Sequence, residues 1–249
     1  MDESVVTLTE IKPHIVQVTM QDRHHKNTFS KELISGLVAS FAAISNNKSI
    51  KVVILTGYDS YFSSGGTQEE LLMLQEGNMK FTDIGIFNLA LECRVPVIAA
   101  MQGHGIGGGF VMGLFCDFVI FSRESVYTTN FMKYGFTPGM GATYILPKKL
   151  GFSLAQELLM NAGTYRGEEL KNRGVPFPVV ARNEVLEHAR RLANELAEKP
   201  RESLITLKDH LVASLRKDLP GIIEQEVLMH QKTFGQTEVK EKINALFGR

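Results

Sequence analysis

Pro96-Val-Ile-Ala-Ala-Met-Gln-Gly-His-Gly-Ile-Gly-Gly-Gly-Phe-Val-Met-Gly-Leu-Phe-Cys-Asp117 is the stretch that decides how this chain folds. An apolar, β-branched run, 97–101, gives way to five glycines within seven residues, Gly103, Gly105, Gly107, Gly108 and Gly109. A short apolar segment with the spacing of a buried helix start follows. The pattern predicts a strand that hands a bare backbone to a helix N-terminus. Glycines there permit positive φ and close approach to the amides, and a helix start offers unpaired N–H groups with partial positive charge. Such a place suits an oxyanion or a phosphate.

Two sites compete for it. Gly103, Gly105 and Gly108 spell G-x-G-x-x-G after a strand, with Glu124 at a tolerable distance for a ribose contact, so a dinucleotide fingerprint is one option. The short interval between the last glycine and the next strand-like run, 118–122, argues against the crossover helix that a βαβ unit needs. The other option is an oxyanion hole, which requires a second N–H donor from elsewhere. The sequence contains a second glycine loop, Tyr61-Phe-Ser-Ser-Gly-Gly-Thr-Gln68, again at a strand end and again opening a helical segment. It lacks the G-x-S-x-G elbow, so Ser63 and Ser64 are not read as nucleophiles.

Around these loops the chain alternates buried strands with helices, which indicates α/β architecture. Residues 5–10 and 15–20 read as a hairpin, Ser30 as the cap of an amphipathic helix to about residue 44, and 52–55 as a strand covered on both faces. A helical segment at 69–75 loosens at Gly77, so 75–81 reads as a flap, with Asp83 capping a helix toward Cys93. Helices are expected at 142–150 and 153–161 and a closing strand at 176–180. Beyond that the pattern is helical: 185–198, 203–215, 222–234 and 239–247, broken by Pro200, Pro220 and Gly235. The expected organisation is therefore a core over residues 1–180 and a helical region over 181–249.

The chain has 249 residues, enough to bury about three quarters of its unfolded surface. Lys plus Arg and Asp plus Glu balance at 27 each, so net charge gives no reason to expect nucleic acid or an anionic membrane as partner. Cys93 and Cys116 form no C-x-x-C pair, which fits a reducing compartment. An acidic Met1-Asp-Glu-Ser start and the absence of a long apolar run complete the expectation of a soluble cytoplasmic protein. Arg23, His24, His25 and Lys26 make a local cationic patch, either a solvated loop or a contact for a phosphate-bearing ligand arm.

The two glycine loops, about 40 residues apart, match a known pattern. Lys26-Asn-Thr-Phe-Ser30, Phe62-Ser-Ser-Gly-Gly66, Gly105-Ile-Gly-Gly-Gly109, Cys116-Asp117 and Gly135-Phe-Thr-Pro-Gly-Met-Gly141 fall in the order and spacing of the crotonase (enoyl-CoA hydratase/isomerase) superfamily, which the chain resembles over nearly its full length. The resemblance implies repeated ββα units, a C-terminal helical region that builds trimers or hexamers, and acyl thioester substrates. It also implies that the amides of Gly66 and Gly108 form an oxyanion hole, each donor typically contributing about 3 to 4 kcal/mol to the transition state.

Hydratases of this superfamily use two glutamates, whose positions fall here on Val111 and Phe131, so hydration is not expected. Gly65-Gly-Thr-Gln68, Met101 to Gly109 and Asn130 to Gly139 resemble instead the decarboxylating homologues of bacillaene-type polyketide β-branching. That likeness implies conversion of 3-methylglutaconyl- to 3-methylcrotonyl-acyl-carrier protein on a phosphopantetheine arm, with no metal or redox cofactor. It implies that Lys80 pairs with the substrate carboxylate and that His230 orients it or assists reprotonation. His104 is read as a turn residue, Asp117 as a brace for the glycine turn, and Thr67, Lys133 and Tyr134 as pocket lining. The rivals are a hydratase or isomerase with a different acid and base, and a non-catalytic acyl-carrier-binding homologue.

Overall fold

The computed structural model describes residues 4–78 and 85–247. Its elements run β1 (Val6–Lys12), β2 (Ile15–Met20), α1 (Lys31–Asn46), β3 (Val52–Thr56), β4 (Tyr61–Ser63), α2 (Gln68–Gln75), the single turn α3 (Leu89–Glu92), β5 (Val97–Met101) and β6 (His104–Ile106). They continue with α4 (Gly108–Leu114), β7 (Phe118–Ser122), β8 (Val126–Thr128), α5 (Ala142–Leu150), α6 (Phe152–Asn161), β9 (Thr164–Arg166), α7 (Gly167–Asn172), β10 (Val179–Val180), α8 (Arg182–Ala197), α9 (Arg201–Thr233) and α10 (Thr237–Leu246). The hairpin and the Ser30 cap are as expected: β1 and β2 pair antiparallel, and the Ser30 hydroxyl accepts the Leu33 amide.

Among the described residues two sheets form. The larger runs β1-β2-β3-β5-β7-β10, parallel from β2 onward. Its central strands are apolar throughout because both faces are covered. Val53, Leu55, Val97 and Ala99 face the main core with α1, while Val52, Ile54, Ile98 and Ala100 alternate to the other side, where Val185, Ala189 and Ala193 of α8 close over them. The first helix beyond residue 180 thus seals the sheet.

Of the smaller sheet, β4-β6-β8-β9, the residues signal only part: 126–128, Val-Tyr-Thr, reads as strand-like and is β8, and the Tyr61 loop reads as a strand end and holds β4. Strands β6 and β9 are three residues long, and β6 lies inside the glycine stretch, so length and β-branched content do not mark them. The short interval after Gly109 does not preclude a crossover. Strands β5 and β7 do pair in parallel, with β6 and α4 between them, because the crossover starts at Met101 and not at the last glycine. Two of the three fingerprint glycines have a structural reason to be glycine: a Cβ at Gly103 would strike the backbone of Ser60 and Tyr61, and one at Gly105 would lie 2.7 Å from Met101 Cε. Those glycines serve packing between strands.

Pro220 does not break the C-terminal region as expected. Helix α9 passes through it unbroken, since one lost N–H is outweighed by Ile205, Val212 and Leu219, which anchor the helix in the main core before that position, and by Ile223 and the buried Glu226 and His230, which hold it after. Gly235 does end it, and α10 folds back against α2, burying Val239 and Ile243. The proposed flap is described only to residue 78, so Lys80 and Asp83 lie outside the described residues, and the helix toward Cys93 is the single turn α3. No helix among the described residues is long and apolar enough to cross a membrane.

Candidate active site

The two glycine loops meet through their backbones. Gly65 holds φ at +77°, and a Cβ there would stand 2.7 Å from the Ile106 carbonyl oxygen and 3.1 Å from the Gly108 nitrogen. No other residue fits. A Cβ at Gly109 would strike the Ser63 carbonyl oxygen. The neighbouring amides are spoken for: Gly65 N–H donates to Ser63 Oγ, and Gly107 N–H donates to Thr128 O at 2.9 Å. Gly66 and Gly108 remain. Both line one cavity of about 40 Å³, and among the described residues neither amide meets a protein acceptor. Gly108 opens α4, where the helix leaves its first N–H groups unpaired.

The cavity wall is apolar: Phe29, Leu71, Phe131, Phe136 and Met140. Among the described residues no carboxylate lines it. Phe131, where the resemblance places one hydratase glutamate, forms part of the wall, while Val111 is fully buried on α4 and does not reach the cavity. Glu70 and Glu226, both largely buried, are committed elsewhere. Glu70 closes a capping box with Thr67 at the start of α2 and lines neither cavity described here; burial pushes its carboxyl up. Glu226, also raised by burial, accepts the Gly141 and Thr143 amides at 2.7 and 3.0 Å and so caps α5.

A second, wider space of about 620 Å³ opens outward from this cavity and shares Ser64, Asn130, Tyr134 and Phe247 with it. Together they form a funnel with a narrow apolar floor. Its mouth carries His24, His25, Lys26 and Lys133, which puts most of the cationic patch at the entrance. Arg23 is turned away, 2.6 Å from Asp59. Thr67, Lys133 and Tyr134 line the funnel or the cavity as expected.

His230 lines neither space. Its Nε2 lies 2.9 Å from Thr137 O and 3.1 Å from Pro138 O, so the ring proton is donated to that turn. Burial holds its imidazole below the ordinary value, while the two carbonyls oppose that shift. Phe234 packs edge-on against the His230 ring and stacks on Phe136 of the cavity wall. Asp117 braces a different place from the one expected: its carboxylate accepts the Val97 amide at the start of β5 and pairs with buried Lys208 at 2.7 Å. His104 sits in the funnel wall, its Nδ1 3.0 Å from the Val126 amide. Phe247 leaves no signal in the sequence, because α10 returns from the far end of the chain to deliver it. Among the described residues no group of three or more His, Cys, Asp or Glu side chains could hold a metal ion.

Comparison with known proteins agrees with this geometry. The bacillaene synthase decarboxylase PksI of Bacillus subtilis (strain 168) is 67% identical over 248 residues, covering 100% of both chains. A solved structure of a dehydratase/decarboxylase enzyme couple involved in polyketide β-branching superposes with a TM-score of 0.98 at 67% identity, covering 99% of this chain and 100% of that one. The ECH2 decarboxylase domain of CurF from Lyngbya majuscula superposes with a TM-score of 0.94 at 46% identity over 98% of this chain and 100% of that domain. The family model for enoyl-CoA hydratase/isomerase matches residues 10–247. Matched by that model over nearly its whole length, the chain belongs to the enoyl-CoA hydratase/isomerase family.

Proposed function

We propose that this protein is a decarboxylase of polyketide β-branching, converting 3-methylglutaconyl-acyl-carrier protein into 3-methylcrotonyl-acyl-carrier protein. The observation that carries this is the pairing of two unclaimed amides, Gly66 and Gly108, with an apolar cavity in which Phe131 stands where the resemblance places one hydratase glutamate and no carboxylate lines the wall among the described residues. The thioester carbonyl oxygen sits between the two N–H groups. The bond to the distal carboxylate breaks, CO₂ leaves, and the electron pair spreads into a dienolate whose oxygen the amides stabilise. A proton then adds at the carbon that lost CO₂. An apolar wall admits neutral CO₂ readily, and a carboxylate there would repel the substrate's own.

Lys80 is assigned to the substrate carboxylate as counter-charge. His230 is assigned to orientation, holding the Thr137–Pro138 turn beside Phe136, since its Nε2 proton is engaged there. The basic mouth of the funnel suits the phosphate of a phosphopantetheine arm and an acidic carrier protein. We assign the protein to the cytoplasm and to a trimer, which can pair into a hexamer; Leu207 and Leu211, exposed one turn apart on α9, fit a subunit contact. Mass spectrometry of 3-methylglutaconyl-carrier protein after incubation tests the reading. Loss of one CO₂ is expected, with no hydration of crotonyl-CoA. An unchanged acyl chain would favour a non-catalytic binding module, and rapid hydration a hydratase.

A further inference from the structure

Met140 holds a backbone conformation that its side chain disfavours. Its φ is +63°, in the left-handed region, where a long apolar residue is an outlier. The other described non-glycine residues with positive φ are His14, Lys26, Asn27, Asp59 and Ala162, all polar or small. Such strain persists only where the surroundings over-determine it, and it gathers at functional sites.

The surroundings do so here from three sides. Glu226 and His230, one turn apart on α9, grip the chain on either side of Met140. Glu226 Oε2 accepts the Gly141 amide at 2.7 Å, while His230 Nε2 donates to Thr137 O and Pro138 O. The third side is apolar. A Cβ at Gly141 would stand 2.8 Å from Leu219 Cδ1 and 2.9 Å from Phe115 Cζ, so the turn has no room to back away from the cavity.

This clamp holds the Met140 side chain in the floor of the funnel. It is 3% exposed and lines the cavity of about 40 Å³ with Phe29 and Phe136. A Cβ at Gly108 would stand 2.6 Å from Met140 Sδ and 2.7 Å from Phe29 Cε2, so the thioether lies against the Cα of a residue whose N–H is assigned to the thioester oxygen. The acyl carbons next to that carbonyl must pass the methionine. It offers them no charge and only volume, and in a close-packed cavity a single methylene is felt.

We propose that Met140 sets the size of the substituent that the acyl chain carries at C3, admitting methyl and excluding longer alkyl branches. The inference rests on the decarboxylase reading above and deepens it. A branch one carbon longer has to displace the thioether against a turn that does not yield, which holds its carbonyl short of the Gly66 and Gly108 amides. Met140 acts through this contact and takes no part in bond breaking. Glu226 is a positioning residue that acts through Met140.

The test measures kcat/KM for CO₂ release from 3-methylglutaconyl-pantetheine and from its 3-ethyl homologue. The wild type is expected to favour the methyl compound at least about tenfold, the worth of one excess methylene in an apolar pocket. Met140→Gly, which suits the left-handed backbone, and Met140→Ala should each narrow that preference to within about threefold. Met140→Leu, close in volume, should keep it. Glu226→Gln, whose NH₂ cannot accept the second amide, should narrow it part of the way. Loss of folded protein alone lowers both rates equally and leaves their ratio unchanged. A wild type without preference, or a folded Met140→Gly or Met140→Ala enzyme that keeps the wild-type preference, overturns the proposal. If the wild type releases CO₂ from neither compound, the decarboxylase reading fails by itself, and titration calorimetry with 3-methylcrotonyl-pantetheine and 3-methylpent-2-enoyl-pantetheine decides the size limit. A methyl preference in binding that narrows in Met140→Gly supports it; an unchanged preference, or no binding of either, overturns it.

Discussion

His230 Nε2 lies 2.9 Å from the carbonyl oxygen of Thr137, at the turn that follows Phe136 of the cavity wall. A ring committed in this way positions the wall and is a poor proton donor to anything else. His230→Gln keeps an N–H within reach of Thr137 and is expected to hold kcat within about tenfold of wild type, whereas His230→Ala leaves two buried carbonyls unpaired and should lose about 1 to 3 kcal/mol of stability along with activity. Urea titration alongside steady-state kinetics separates the two variants.

The pH dependence of stability follows from the same ring. His230 and His104 both have folded-state values below 6.5, chiefly because burial disfavours the charged form. The unfolded chain therefore binds protons first as the pH drops. Their contribution is present above 6.5 and is lost as the pH falls through the lowered folded values. The urea midpoint should fall between about pH 7 and pH 5, and His230→Gln should flatten that slope.

Phe131 tests the absence of an acid in the cavity. Phe131→Glu places a carboxylate in an apolar wall, where it is expected to repel the substrate carboxylate and reduce CO₂ release at least about tenfold. Phe131→Leu, which keeps the wall apolar, should retain most activity at a cost of roughly 1 kcal/mol in stability. Assays of labelled CO₂ release on both variants check this.

Lys208 and Asp117 form a buried ion pair at 2.7 Å, and Lys208 also donates to Ala90 O and Val95 O. It ties α9 to the start of β5, well away from the glycine loops. Lys208→Met strands the Asp117 carboxylate and should destabilise the fold by about 3 to 5 kcal/mol by chemical denaturation, with the KM of the remaining folded enzyme unchanged.

Much of this was legible in the residues themselves. The Pro96 to Asp117 stretch identified a strand, a glycine turn and a helix start, and the second glycine loop brought Gly66 to the cavity that Gly108 lines, because both features are local and glycine marks them. What escaped was non-local or too short to leave a period. Strands β6 and β9 of the smaller sheet draw their stability from neighbours, and Phe247 reaches the cavity only because α10 folds back. Pro220 misled because a proline in a packed helix costs less than the anchors around it provide. His104 was read as a turn residue, since nothing in a glycine-rich run discloses that it belongs to a strand facing the funnel.

The central claim is that the Gly108 N–H, together with that of Gly66, donates a hydrogen bond to the dienolate oxygen that takes up the electron pair released with CO₂. Gly108 is the first residue of α4, a position that tolerates proline, although Met140 and Phe29 must shift to admit the ring. Gly66→Ala, whose added Cβ meets only ordinary contacts, keeps its N–H and serves as the control. In single-turnover release of CO₂ from 3-methylglutaconyl-pantetheine, the account predicts that Gly108→Pro loses about 10²- to 10³-fold in rate while Gly66→Ala stays near wild type. A folded Gly108→Pro enzyme that releases CO₂ at the wild-type rate would contradict it.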